Sequence, residues 1–191
     1  MRSRASRAVR VLSSRVVFRG SLFDVRRDRV REPGRVEATR EIVLHGGSVV
    51  LLPVRSDGRI LLVRQYRHAA GRFLWELVAG RIERGEKPLA AAHRELEEET
   101  GYQSGRCRRL TEFFPTPGFV TERMTLFLVE QLKPGAARPD ADERIEVRAF
   151  APGELERRIR RGSIRNAKTI AGLLFYFRFT ASRRRRKGGA R

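Results

Sequence analysis

Cysteine is almost absent from this chain. Cys107 is the sole example among 191 residues, so an internal disulfide framework is excluded. The absence agrees with a reducing cytoplasm, the compartment expected for the protein. No apolar run approaches the ~20 residues of a membrane helix, so no membrane partner is expected. Met1 to Arg10 is rich in Arg and Ser, yet no apolar signal-peptide segment follows it. Lysine is scarce too. Of the 42 basic residues only Lys87, Lys133, Lys168 and Lys187 are lysines. The formal net charge of +20 invites a nucleic-acid reading. Two features oppose it. The excess of Arg over Lys can follow from codon composition. Much of the excess also sits in tails such as Arg183 to Lys187, which lack aromatics on which bases would stack. No specific nucleic-acid partner is expected, although the positive field should draw anionic nucleotides inward.

What remains is enough for one domain with a small appendage. Residues 1–14 read as a disordered basic tail and 181–191 as another. Residues 15–45 alternate like strands. Glu32-Pro33-Gly34-Arg35 suits a type II turn, with Pro at i+1 and Gly at i+2. Ser21–Arg31 and Arg35–Leu44 should therefore form a hairpin. A lone hairpin is marginal in water, so this element should lie on something, and a second subunit is the natural candidate. A larger module covers residues 46–180. Within it, Ser48–Arg55 and Arg59–Gln65 are apolar strands joined at Ser56-Asp57-Gly58, read as a hairpin turn. Strands are also expected at Leu74–Val78, Arg108–Phe114, Thr125–Glu130 and Ile145–Phe150. Lys133–Asp142 reads as a polar loop. Pro152–Arg161 and Lys168–Phe179 read as helices.

The most constrained segment is GRIERGEKPLAAAHRELEEETGY, Gly80 to Tyr102. Pro88 suits a first helical position, the Ala and Glu residues favour helix, and Gly101 suits a left-handed stop. Leu89, Ala92 and Leu96 should form the buried stripe. Glu95, Glu98 and Glu99 stand at i, i+3 and i+4 and share the adjoining arc. Like charges so placed repel one another. The arrangement makes sense if a hard cation sits among them, and Mg²⁺ prefers such oxygens together with substrate phosphates.

Gly80, Glu86, Arg94, Glu95, Glu98, Glu99 and Gly101 at these spacings resemble a complete Nudix box, with Tyr102 the one mild departure. The resemblance implies an α/β protein, an α/β/α sandwich with a mixed sheet, here with an added N-terminal antiparallel β hairpin or sheet. It implies Mg²⁺, with Mn²⁺ as a substitute, held by Glu95, Glu99 and Glu98 and by the Ala79 carbonyl. It implies that Arg94 orients the glutamates.

Fragments outside the box are similar to the ADP-ribose pyrophosphatase subgroup. Pro117 lies 16 residues beyond Gly101, within Phe114-Pro115-Thr116-Pro117-Gly118-Phe119-Val120-Thr121-Glu122-Arg123. Gln65-Tyr66-Arg67, Trp75 to Gly80, and Lys168-Thr169-Ile170 follow the same pattern. The likeness implies that Arg67 contacts the diphosphate, that Thr116, Pro117 and Gly118 shape the ribose pocket, and that Glu122 binds ribose hydroxyls. Arg40 and Glu41 match positions at the nucleotide end, across a homodimer. Ser21 and Leu22 replace aromatics that often stack on adenine, so Leu22 falls in the base subsite. The base or further metal ligand lies among Glu143, Asp142 and Asp140, or is Glu98 in the box; Glu143 aligns best. The implied activity is Mg²⁺-dependent hydrolysis of a nucleotide sugar, ADP-ribose, to AMP and ribose 5-phosphate. The alternatives are another substrate such as GDP-mannose, or a noncatalytic nucleotide- or RNA-binding domain, against which the intact box argues.

Overall fold

Residues 8–136 and 144–181 are described by the computed structural model. They divide into two compact units, residues 8–47 with 114–123, and residues 48–113 with 124–136 and 144–181.

The first unit is built on a three-stranded antiparallel sheet, β1 (Arg10–Arg19), β2 (Asp24–Arg31) and β3 (Glu37–Leu44), in that order. The expected hairpin is β2–β3, with Arg27 opposite Glu41 and Gly34 at φ 83° in the turn. The basic tail expected over residues 1–14 is corrected from Arg10 onward, where the chain is strand and Arg10 pairs with Arg31. Every β1 residue except Leu12 is exposed, so no buried face left an alternating signal to read. The backbone ladder holds this strand. Arg29 and Arg31 both reach Glu37, and Arg27 reaches Glu41 at 2.7 Å. Exposed pairs of this kind contribute up to ~1 kcal/mol each, so they tune the sheet rather than create it. Residues 114–123 join this unit beside β3. Val43 N donates to Phe119 O at 2.8 Å, and Thr121 N donates to Val43 O at 3.0 Å.

The second unit holds the main core. Its central strand is β4 (Ser48–Pro53), buried at all six positions. β4 pairs antiparallel with β7 (Val78–Arg81) and parallel with β9 (Met124–Pro134), and β8 (Tyr102–Phe113) closes the sheet antiparallel to β9. A second, antiparallel sheet has the order β10 (Glu146–Phe150), β5 (Ile60–Arg67), β6 (Arg72–Glu76). The hairpin expected between β4 and β5 is therefore corrected. The turn at Ser56–Gly58 forms, but only the bridge Val54–Ile60 follows it, and the two strands enter different sheets. Local turn chemistry sets the reversal; the neighbours of each strand decide how far pairing runs.

Alternate residues of β4 face opposite sides, as strand geometry requires. Val49 and Leu51 pack with Ala91, Ala92 and Leu96 of α1 (Pro88–Thr100). Val50 and Leu52 pack with Leu155 of α2 (Pro152–Arg160) and Leu173 of α3 (Ala167–Phe175). The result is a mixed sheet with helices on both faces. After α3 the chain makes a π-helical turn, Tyr176–Ala181, rather than continuing as α-helix. One expected core residue fails. Leu89 is 47% exposed. At about 100° per residue it lies between Leu96 and Thr100 round the helix, so its place in the first turn, not its angle, exposes it.

Candidate active site

β7 delivers the chain to the start of α1. Pro88 opens the helix after an extended Lys87, and Gly101 closes it at φ 69°, its N–H donating to Glu97 O at 2.8 Å. That left-handed stop suits glycine, which has no Cβ to clash. Between these ends Ala91, Ala92, Leu96, Glu99 and Thr100 are buried. The box glutamates occupy the edge of that buried stripe. Glu99 is buried at 7% exposure, the Glu95 side chain is 13% exposed, and the Glu98 side chain is 39% exposed.

Gly80 decides how close strand and helix come. A Cβ there would stand 1.7 Å from the Glu95 carboxyl carbon and 1.9 Å from Oε1. The Glu95 carboxylate thus lies directly on the strand that carries the Ala79 carbonyl. Carboxylate and carbonyl oxygens are the donors a hard divalent cation takes, so the donor set at this edge fits such a cation.

Arg94 organises the same carboxylates. Its Nε and Nη2 donate to Glu86 at 3.0 Å each, its Nη1 to Glu95 at 2.7 Å and to Glu98 at 3.0 Å, and its Nη2 to the Arg81 carbonyl at 3.0 Å. Glu86 in turn accepts from the Glu83 N–H at 3.0 Å, which closes the loop between β7 and α1. The bond from Arg94 holds the Glu86 carboxyl below its ordinary pKa against the opposing effect of burial, with the Glu83 N–H assisting. Glu86 and Glu95 hold the guanidinium well above its ordinary value. Among the described residues no three acidic, His or Cys side chains converge on one point; Arg94 Nη1 stands between Glu95 and Glu98.

A second charged cluster lies at the ends of β5 and β6. Glu76 is 1% exposed. It accepts from Arg67 Nε at 3.0 Å and Nη2 at 2.9 Å, and from Lys168 Nζ at 2.5 Å. Burial works to raise the Glu76 pKa, but the two cations overcome it and hold the carboxyl below its usual range. Stripping a buried carboxylate of its partners costs about 3–5 kcal/mol, so the cluster stands or falls together. Sequence reasoning singled out Arg67 but gave Glu76 and Lys168 no role. They are 92 residues apart, and no local pattern announces such a pair.

Leu22, Arg40, Glu41, Thr116, Pro117, Gly118 and Glu122 belong to the first unit. Arg40 pairs with Glu32 and donates to the Thr39 carbonyl, and Glu41 accepts from Arg27. Leu22 is exposed in the turn between β1 and β2. Thr116, Pro117 and Gly118 are exposed, with the Thr116 carbonyl accepting from Val120 N at 3.1 Å. Glu122 lies 3.8 Å from His45 Nδ1, and the His45 N–H donates to Thr121 Oγ1 at 2.8 Å. Pairing at Val43 therefore brings the 116–122 segment to β3. His45 carried no sequence signal. The acids Asp140, Asp142 and Glu143 lie outside the described residues.

Comparison with known proteins adds four findings. The NUDIX domain family matches residues 44–173. The chain is 40% identical over 167 residues to the ADP-ribose pyrophosphatase of Mycobacterium tuberculosis, covering 85% of this chain and 80% of that protein. It is 34% identical to the ADP-ribose pyrophosphatase of Bacillus subtilis, covering 87% and 91%. A solved structure, the crystal structure of ADP compounds hydrolase, superposes with a TM-score of 0.81 over 96% of each chain at 21% identity, a likeness of fold.

Proposed function

The chain belongs to the NUDIX family, and from that premise we propose that it hydrolyses the diphosphate of ADP-ribose to AMP and ribose 5-phosphate with a divalent cation. The observation that carries the reading is the Glu95 carboxylate laid over Gly80, with Glu98 and Glu99 on the same arc of α1. These three carboxylates and the Ala79 carbonyl would hold Mg²⁺, or Mn²⁺ in its place. A bound cation of this kind supplies positive charge against the diphosphate and acidifies water at the site. The two bacterial relatives support the choice of ADP-ribose, since each carries that substrate in its name and the matched spans cover most of both.

The chain's own groups then have distinct tasks. Arg94 donates to Glu86, Glu95 and Glu98 at once and so ties the glutamates of α1 to its entry loop. Arg67 faces the diphosphate, because a planar guanidinium matches phosphate oxygens. Glu143, with Asp142 or Glu98 as the other candidates, takes the proton from the attacking water. Thr116, Pro117, Gly118 and Glu122 are assigned to the ribose. Arg40, Glu41 and Leu22 are assigned to the nucleotide end, contributed to a second copy in a homodimer of the cytoplasm. Product analysis tests the reading. The full chain with Mg²⁺ is given ADP-ribose, GDP-mannose and other nucleoside diphosphate sugars. AMP and ribose 5-phosphate should form fastest from ADP-ribose, and chelation should stop the reaction. Turnover of every sugar except ADP-ribose would refute it.

A further inference from the structure

We propose that Lys168 is a positioning residue for the diphosphate, acting on Arg67 through the buried carboxylate of Glu76. The inference rests on the reading of Arg67 as the diphosphate ligand. The reason is charge. Arg67 alone satisfies Glu76, with two donors on its two oxygens at 3.0 and 2.9 Å. A bidentate pair of that kind is neutral and presents little field to an anion. Lys168 adds a second cation to the same carboxylate, at 2.5 Å from Oε2. The cluster of Arg67, Glu76 and Lys168 then carries a net charge of about +1. Of the two cations Arg67 is the more exposed, its side chain 38% accessible against 12% for Lys168. A cation buried behind the carboxylate thus restores to Arg67 the attraction that Glu76 would cancel.

The lysine is also held in place. It stands in the first turn of α3, where a positive charge opposes the helix dipole and weakens the helix. Helix stability is therefore not what the lysine serves there. Asn166 Oδ1 caps that turn, accepting from Thr169 N at 3.1 Å and from Thr169 Oγ1 at 3.0 Å. Thr169, fully buried, accepts through Oγ1 from the Leu77 N–H at 2.9 Å. Leu77 adjoins Glu76. The first turn of α3 is thereby pinned to the strand end that bears the carboxylate, and Lys168 meets Glu76 without a search.

Lys168→Met removes the charge and keeps most of the stem. With ADP-ribose and saturating Mg²⁺, KM should rise on the order of tenfold while kcat stays within about threefold. Calorimetry with ADP, which needs no turnover, should show the same loss of affinity, and Lys168→Arg should recover most of it. A lowered Tm with unchanged KM and unchanged ADP affinity would make Lys168 a structural counterion and overturn the inference. Should Lys168→Met fail to fold, Lys168→Gln, which keeps a donor for Glu76 without the charge, reads the same quantities. If the wild type does not turn over ADP-ribose, the substrate reading fails, and the ADP calorimetry still decides the role of Lys168.

Discussion

Glutamate and glutamine differ at position 99 by one charge and almost no volume. Glu99 is buried on the carboxylate arc of α1, so Glu99→Gln removes the charge of a proposed cation ligand and relieves repulsion from Glu95. Turnover should fall on the order of 10²-fold or more, while the melting temperature holds or rises. Near-normal turnover at saturating Mg²⁺ would refute the ligand assignment. Gly80→Ala tests the same site from the strand. The added Cβ would displace the Glu95 carboxylate, which it meets at 1.7 Å. Mn²⁺ affinity, read by electron paramagnetic resonance, should drop sharply while far-UV circular dichroism stays native. Unchanged Mn²⁺ affinity would show that Glu95 does not need this seat. Among Glu143→Gln, Asp142→Asn and Asp140→Asn, the first should cost most, chiefly in kcat. If all three stay within about threefold of wild type, the base is elsewhere, with Glu98 next in line. Burial pushes the Cys107 thiol up to about 11, which keeps it protonated at neutral pH.

At the scale of an element, α1 and its entry loop depend on the web that Arg94 draws from Glu86, Glu95, Glu98 and the Arg81 carbonyl. The web has a pH signature. Bonding to Arg94 depresses the Glu86 pKa below its ordinary 4.5. Its stabilising contribution is therefore complete above 4.5 and fades as pH falls through the lower folded value. Urea midpoints measured from pH 7 to pH 3 should decline for the wild type, and less steeply for Glu86→Gln. Parallel declines in the two proteins would exclude Glu86 as a source of the acid sensitivity.

The whole molecule poses the question of a second copy. In the first unit Val9, Val11, Val16, Val17, Phe18, Leu22 and Phe23 are all exposed. Exposed apolar side chains in such number, on β1 and the segments at its two ends, would be covered by the proposed homodimer. Deleting residues 1–44 should give monomer or aggregate and lose substrate affinity with dimerisation. Light scattering that finds the intact chain monomeric at micromolar concentration, and still active on ADP-ribose, would remove the basis for this proposal.

Local chemistry was legible wherever it repeats at short range. The spacing from Gly80 to Tyr102, the helix stop at Gly101 and the turn at Pro33-Gly34 involve residues close in sequence, whose backbone preferences and helical periodicity act without help from the rest of the fold. The α/β class and the family followed from them. Tertiary structure alone decided the rest. It paired the almost wholly exposed β1 with β2, because a backbone ladder needs no hydrophobic pattern. It sent β4 and β5 to different sheets after a sound turn, because strand partners are chosen by distant residues. It joined Lys168 to Glu76 across 92 residues, because a buried carboxylate must find cations wherever the fold brings them.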